Sequence, residues 1–305
     1  MTALDWSSLQ KELPGKVRLA EPLSRHTSFH IGGPADAWVD ASTEADLLAC
    51  LAFAKAQKVA LTLLAGGTNV LVRDGGIRGL VLSLDGDFEA FSVDGNKVRA
   101  GAAMNLALLA RKTALAGLEG LEWAVGIPGS LGGGLVMNAG AHGGEMKQVV
   151  RRVGLVADGA PQVWSAEDCG FAYRHSRFKE FAPGSLVLTW AEMELKSAPV
   201  EELKRRMDEA LAKRKASQPL GLPNAGCVFK NPAGDSAGRM IEACGLKGRR
   251  RGGAEISAVH ANFVVNAGGA AAADVLGLMA EARAAVQERF GVALLDEVLV
   301  LGEDA

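Results

Sequence analysis

No charge of one sign dominates this chain: 33 Lys and Arg against 35 Asp and Glu leave a formal net charge of −2 over 305 residues. Nothing in that balance points to nucleic acid or a membrane surface as a partner. No apolar stretch is long enough to span a bilayer. The opening residues MTALDWSSLQKELPG carry acids and no apolar core, so no secretory signal is expected and a cytoplasmic protein is. The four cysteines, Cys50, Cys169, Cys227 and Cys244, form no C-x-x-C pair, and no histidine stands at metal-ligand spacing. Free thiols, with neither a disulfide framework nor a metal site, are the expectation. Internal repeats are missing, and so is low-complexity sequence apart from AGGAAAADV.

Two familiar phosphate fingerprints are absent as well. No Gly-x-x-x-x-Gly-Lys-Ser/Thr string occurs, and Gly126, Gly129 and Gly132 are spaced by three instead of following Gly-x-Gly-x-x-Gly. What stands there is EWAVGIPGSLGGGLVMNAGAHGGE, dense in glycine, with no lysine before Lys147. Glycine serves where φ is positive or where another atom must approach the backbone closely. Successive inward-turned amides can hold an anion such as a diphosphate. The alternative is a flexible surface loop, but Trp123, Val125, Ile127, Leu131 and Leu135 interleave the glycines and favour a packed one. A second cation-free turn, Gly66-Gly67-Thr68-Asn69, lies between the apolar runs ending at Ala65 and starting at Val70. Two such loops suggest a grip on one large ligand carrying a diphosphate.

The rest reads as an α+β mixture of two or three domains, with a boundary near residue 200. TEADLLACLAFAKAQ is a helix with Thr43 as its N-cap and Asp46 at its third position. GLVLSL and FEAFSVDGNKVRAGA read as strands, the latter a pair turning at Asp94-Gly95, and NLALLARKTALAGL is a second helix. Strands follow around Val149 to Ala157 and Ser185 to Leu195. The charged helix VEELKRRMDEALAKRKASQP resembles a connector. Beyond it come helices at Ala237 to Cys244 and Ala271 to Phe290, with a strand at Asn262 to Asn266. The chain finishes on ALLDEVLVLG, read as a strand.

Three residues could do chemistry. Arg174, in FAYRHSRFK beside Tyr173, suits a bidentate carboxylate or phosphate, or else caps a surface turn. Cys227, in GCVFKNP, is a nucleophile or proton donor, or a small buried apolar residue. Alternation in LLDEVLVLG puts Glu297 on one face with Leu295, Leu299 and Leu301; Asp296 is an equally flanked competitor on the other.

The ordered set HTSFHIGGPAD, AGGTNVLV, GIPGSLGG with MNAGAHGGE, YRHSRFK, GCVFKNP, HANFVVN and LLDEVLVLGE, spanning nearly the whole chain, resembles the UDP-N-acetylenolpyruvoylglucosamine reductase family of peptidoglycan precursor synthesis. The resemblance implies an α+β fold: a two-part FAD-binding region of the vanillyl-alcohol-oxidase-like (PCMH-type) fold plus a C-terminal α+β substrate-binding domain. It divides the chain into 1–80 and 81–199 for FAD and 200–305 for substrate, with the C-terminal strand returning to the active site. It implies non-covalent FAD held by Gly66, Gly67, Thr68, Asn69, Val70 and Leu71 from the first loop. From the second come Gly126, Ile127, Pro128, Gly129, Gly132 and Gly133, then Asn138, Ala139, Gly140 and Ala141. NADPH is the implied hydride donor and a UDP-sugar enolpyruvate the substrate, bound by Tyr173, Lys230 and Asn231. Arg174 and Glu297 would stabilise an enolate-like intermediate, and Cys227 stands where many members carry a proton-donating serine. With no tyrosine besides Tyr173, the chain matches the branch that lacks a tyrosine-bearing substrate loop. A monomer without membrane or nucleic-acid partners is expected. A flavin oxidase sharing only the FAD region, or a flavin-free sugar-nucleotide binder, are the readings a substrate-dependent NADPH assay and a flavin spectrum separate from this one.

Overall fold

The structure, a computed structural model, describes residues 4–305. Its helices and strands group into two compact units, each assembled from separated stretches of chain. Unit 1 takes the chain up to Leu19, Ala37–Ala65 and Gly79–Ala212; unit 2 takes Ala20–Asp36, Gly66–Arg78 and Lys213–Ala305. The C-terminal break falls after Ala212, inside the helix Val200–Ser217, a little beyond the boundary read from composition.

Unit 1 centres on a five-stranded antiparallel sheet in the order Ala160–Ser165, Val150–Ala157, Leu186–Glu194, Lys97–Gly101, Phe91–Asp94. The last pair is the expected hairpin, its turn made by Gly95, in the left-handed region at φ 57°, and Asn96. Helix Leu106–Leu115 starts where Asn105 accepts the Leu108 amide at 2.9 Å. It buries Leu106, Leu109, Ala110, Thr113 and Ala114, a stripe at three- and four-residue spacing. That stripe joins one core with Trp123, Val125, Leu131 and Leu135, so the glycine-rich stretch is packed and not a floppy loop. Each fully buried leucine in it stabilises the fold by roughly 1.5–3 kcal/mol.

A second core in unit 1 forms around helix Glu44–Gln57, which buries Leu47, Cys50, Phe53 and Ala54. Helix and cap are as read: Thr43 and Asp46 exchange hydrogen bonds in a capping box. Burial pushes the Cys50 and Cys169 thiols up to about 12, which removes both from thiolate chemistry.

In unit 2 a three-stranded antiparallel sheet, Arg250–Arg251, Ala254–Ile256, Val264–Asn266, packs with helices Ala237–Ala243 and Ala272–Phe290. The segment Gly66–Arg78 belongs here for a definite reason. Val70–Val72 pairs in parallel with Leu299–Leu301, and the Asp74 carboxylate accepts the amides of Ala272 and Ala273 at 2.8 and 3.1 Å. Those are the first turn of the long helix, where a carboxylate meets otherwise unpaired N–H groups and the positive end of the helix dipole. Among the described residues no helix is long and apolar enough to cross a membrane, and no cluster of side chains could hold a metal ion.

Asp46 yields a pH-dependent stability. Burial alone pushes its carboxyl up, but hydrogen bonds from Lys16, at 2.5 Å, and from Ser42 and Thr43 together hold it below the usual range. A depressed native pKa stabilises above the unfolded value, about 3.9, and the contribution fades as pH falls through the folded one. Asp46→Asn should therefore lower stability by about 1–2 kcal/mol at neutral pH. In urea titrations the gap to wild type should close as the pH drops through the folded pKa, below about 3.9; a gap constant down to that pH would contradict the ionic origin.

Candidate functional site

The candidate residues gather in two clusters, one in each unit. In unit 2 the hub is the short run Cys227–Lys230, flanked by chain on both sides. On one side Cys227 bridges Phe263, and the Val228 amide donates to the Asn262 carbonyl at 2.9 Å. On the other, Phe229 bridges Asp296, the Glu297 amide donates to Val228 and the Lys230 amide donates to Leu295. Cys227 and Glu297 thus sit on neighbouring extended segments. The buried Asn262 side chain holds both polar groups of Phe229, accepting its amide at 3.0 Å and donating to its carbonyl at 2.8 Å. HANFVVN carries this asparagine, but no local spacing reveals its partner 33 residues away.

Gly66–Leu71 joins the same cluster. Asn69 donates its side-chain amide to the Glu297 carbonyl at 3.2 Å, and its own carbonyl accepts the Leu299 amide at 2.9 Å. Leu71 is fully buried, so its side chain faces the core rather than a ligand. Gly67 lies at φ 56°, and a Cβ there would come within 2.2 Å of the His26 carbonyl. Glycine at that position is already demanded by its own chain, independently of any diphosphate.

The end of the chain differs from the strand read in the sequence. Only Leu299–Leu301 is regular strand; Leu294 and Val298 are buried, while Leu295 and Leu299, expected to flank Glu297 in a core, are 65% and 55% exposed. Glu297 therefore shares an open face, half-buried itself. Its competitor is accounted for: Asp296 accepts the Arg283 guanidinium at 2.6 Å. Asn231 accepts the Ala237 amide at 3.1 Å with its side-chain oxygen, which caps the next helix and leaves its NH₂ for other use. Lys230 has no ion-pair partner among the described residues. Sequence reasoning missed Arg214, a half-buried cation whose charged form burial disfavours and Cys227 favours.

In unit 1 the glycines separate into two kinds. Gly140 and Ala141 pair with Glu145 and Gly144 in a small hairpin turned by His142 and Gly143, both at positive φ. A Cβ on Gly144 would meet the Trp123 indole at 2.1 Å. These glycines answer to the chain's own packing. The earlier turn is different. The amides of Leu131, Gly132 and Gly133 donate to Met104, Ala102 and the Ser130 hydroxyl at 2.8, 2.8 and 3.1 Å. The amides of Gly129 and of the buried Ser130 have no such partner among the described residues. An unmatched buried donor costs about 1–3 kcal/mol, so an anion is what this turn fits. Gly133 is exposed, with ordinary φ, and a Cβ on it would meet nothing nearer than the Ser130 hydroxyl at 3.6 Å. Nothing in the chain itself requires glycine there.

Arg174 belongs to this unit. Ala172 and His175 exchange amide–carbonyl bonds at 3.0 and 3.1 Å, so Tyr173 and Arg174 form the tip of a tight turn. Arg174 sits in the left-handed region at φ 52°. Tyr173 is 71% exposed, against half-burial for Arg174. The turn is tied to the glycine-rich stretch: the Asn138 amide donates to the Ala172 carbonyl at 3.0 Å, and the Ser176 hydroxyl donates to the Val136 carbonyl at 2.7 Å. Asn138, assigned to cofactor contact, has both amide hydrogens and its oxygen engaged inside the chain. Its side chain acts on the protein itself.

Comparison with known proteins gives two family matches. Residues 218–301 match the model described as UDP-N-acetylenolpyruvoylglucosamine reductase, C-terminal domain, and residues 35–162 match FAD binding domain. A protein of Symbiobacterium thermophilum named UDP-N-acetylenolpyruvoylglucosamine reductase 2 is 47% identical over 292 residues, 95% of this chain and 94% of the relative. A UDP-N-acetylenolpyruvoylglucosamine reductase of Heliobacterium modesticaldum is 44% identical over 299 residues, covering 97% and 94%. The crystal structure of UDP-N-acetylenolpyruvylglucosamine reductase from Thermus caldophilus superposes with a TM-score of 0.80 at 38% identity, covering 94% of this chain and 98% of that one. With the mixed helix and strand of both units, these findings make the fold α+β, an FAD-binding region of the expected kind followed by the family's C-terminal domain.

The backbone of Arg174 gives a measurable consequence. A non-glycine residue held in the left-handed region costs about 1–3 kcal/mol, a penalty glycine escapes. Arg174→Gly should unfold at a higher temperature than Arg174→Ala, by about 1 kcal/mol in stability, although both lack the guanidinium. Equal melting temperatures for the two variants would show that the turn relaxes in solution.

Proposed function

The chain belongs to the UDP-N-acetylenolpyruvoylglucosamine reductase family and is an FAD-dependent oxidoreductase, and from that premise we propose that it reduces UDP-N-acetylglucosamine enolpyruvate to UDP-N-acetylmuramate with NADPH. The observation that carries the reading is coverage: these two relatives align over 95% and 97% of the chain. The reaction serves peptidoglycan precursor synthesis, in the cytoplasm, by a monomer divided functionally at about residues 80 and 199.

FAD would be held without a covalent bond by the Gly66–Leu71 and Gly126–Gly133 stretches, the amides of Gly129 and Ser130 meeting its diphosphate. When bound, it would supply the chemistry for hydride transfer from NADPH to the terminal vinyl carbon of the substrate. The chain's own residues manage the charge this creates. Hydride addition leaves an electron pair on the carbon bearing the carboxylate, spread into that group as an enolate. Arg174 opposes the developing negative charge with a fixed cation, worth about two or more orders of magnitude in rate. Glu297 assists as a hydrogen-bond donor, which requires its protonated form. Cys227 donates its proton to the carbanion carbon and completes the lactyl ether; the thiolate left behind regains a proton from solvent before the next turnover. Lys230, the NH₂ of Asn231 and the exposed Tyr173 bind the phosphates and sugar of the nucleotide.

Two experiments test this reading. Gly133→Ala removes a helix-position glycine that the protein does not need, so the flavin-stripped variant should be more stable by about 0.5–1 kcal/mol. The same methyl group should weaken FAD binding. A variant both more stable and undiminished in FAD affinity removes this turn from the cofactor site. For the chemistry, NADPH oxidation dependent on the enolpyruvyl substrate is decisive. Cys227→Ser should retain substantial turnover, while Cys227→Ala should lose about 10²- to 10⁴-fold with FAD reduction by NADPH intact. Wild-type turnover in Cys227→Ala would leave the thiol a packing role only.

A further inference from the structure

Among the described residues two asparagines are buried, and one of them, Asn138, bonds two separate pieces of chain, 145–147 and Ala172, with a single side chain. Its Nδ2 donates to Glu145 at 2.8 Å and to the Ala172 carbonyl at 3.0 Å, and its Oδ1 accepts the Lys147 amide at 3.0 Å. Its backbone is itself left-handed, at φ 40°, where asparagine is tolerated better than most side chains. The Ala172 carbonyl it holds opens the turn that carries Arg174, and the Arg174 backbone is left-handed too, at φ 52°. From the far side of that turn, Ser176 is fully buried and anchored on Val136. A strained arginine stays in place only where its surroundings over-determine it. Here they do so from residues 136 and 138, which continue directly from the Leu131–Val136 helix.

We propose that Asn138 is the positioning residue for Arg174: its amide fixes the Ala172 carbonyl, and through it the strained turn, so that the guanidinium is pre-set relative to the glycine-rich stretch. The proposal rests on the role given to Arg174 above. It differs from a cofactor contact, since the amide has no hydrogen left to offer. Burying an amide without partners is costly, and this one is fully matched, so it acts as a rigid joint instead of a weak point.

The test is a double-mutant cycle read in the two half-reactions of the holoenzyme by anaerobic stopped-flow flavin absorbance. Asn138→Gly keeps a left-handed backbone available and deletes only the side-chain bonds. It should leave FAD content and NADPH reduction within about twofold of wild type and slow reoxidation by the enolpyruvyl substrate by about 10- to 100-fold, the scale expected for a catalytic group displaced by about 1 Å. With Arg174→Ala already present, Asn138→Gly should slow reoxidation no further. Ser176→Ala, which releases the other side of the turn, should show the same pattern. If Arg174→Ala slows reoxidation selectively but the Asn138 effect adds to it in full, the positioning role is overturned while that of Arg174 stands. If Arg174→Ala is not selective, the role of Arg174 fails and the positioning role goes with it. Loss of flavin in both Asn138→Gly and Ser176→Ala would also overturn the proposal, making these bonds part of the cofactor scaffold.

Discussion

A three-residue parallel ladder between Val70–Val72 and Leu299–Leu301 is the contact on which unit 2 depends. It joins segments more than two hundred residues apart, so closing it carries a large loop-entropy cost that three rungs alone do not offset. The bonds around it do. Asn69 holds the Glu297 and Leu299 backbone on one side, and Asp74 caps the helix Ala272–Phe290 on the other. The ladder also decides where chemistry can stand. Because Leu299 follows Asn69 in register, Glu297 is delivered beside Val228, one residue from Cys227. A shift of one rung would carry the carboxylate to the opposite face.

Features closed within a few residues were legible in the sequence. The capping box of Thr43 and Asp46 and the Asp94–Lys97 hairpin need only neighbours; the first stands where the pattern put it, and the hairpin turns at Gly95-Asn96, one residue on from the Asp94-Gly95 turn read in the sequence. Features closed at long range were not. LLDEVLVLG alternates like a strand, yet its partners are the short run after Cys227 and the Val70 ladder, so only three residues stay regular and the face of Glu297 is open. The glycines show the limit most clearly. A close approach by tryptophan, as at Gly144, and a close approach by a ligand, as inferred at Gly133, leave the same letter in the sequence. Only the position of a hypothetical Cβ tells them apart. Asn138 and Asn262 were visible within family motifs, but their work is visible only through bonds to Ala172 and Phe229.

Strain and rigidity go together in unit 1. Left-handed Asn138 and left-handed Arg174 are joined through one carbonyl, and each costs something on its own. Fully matched hydrogen bonds around Asn138 offset that cost, since every polar atom of its side chain has a partner in a water-poor setting. In the role proposed for it, Arg174 would not need to be gathered from solvent when negative charge develops. Preorganisation of this kind contributes to catalysis because reorienting a long flexible side chain during reaction would cost entropy.

Two adjacent carboxyls at the end of the chain, Asp296 and Glu297, show how surroundings divide roles between similar groups. Asp296 accepts the Arg283 guanidinium at 2.6 Å, and Arg283 in turn lies 5.5 Å from the Phe229 ring centre. A carboxylate held by a guanidinium acts as an acceptor. The proposed reaction would need a donor, because the enolate in it is itself anionic, and a second anion beside it would repel. In the proposed reaction the donor role falls to Glu297, and the Asp296 carboxylate is committed to Arg283. Backbone bonds to Val228 and Asn69 fix the position of Glu297, so its place is set by main chain.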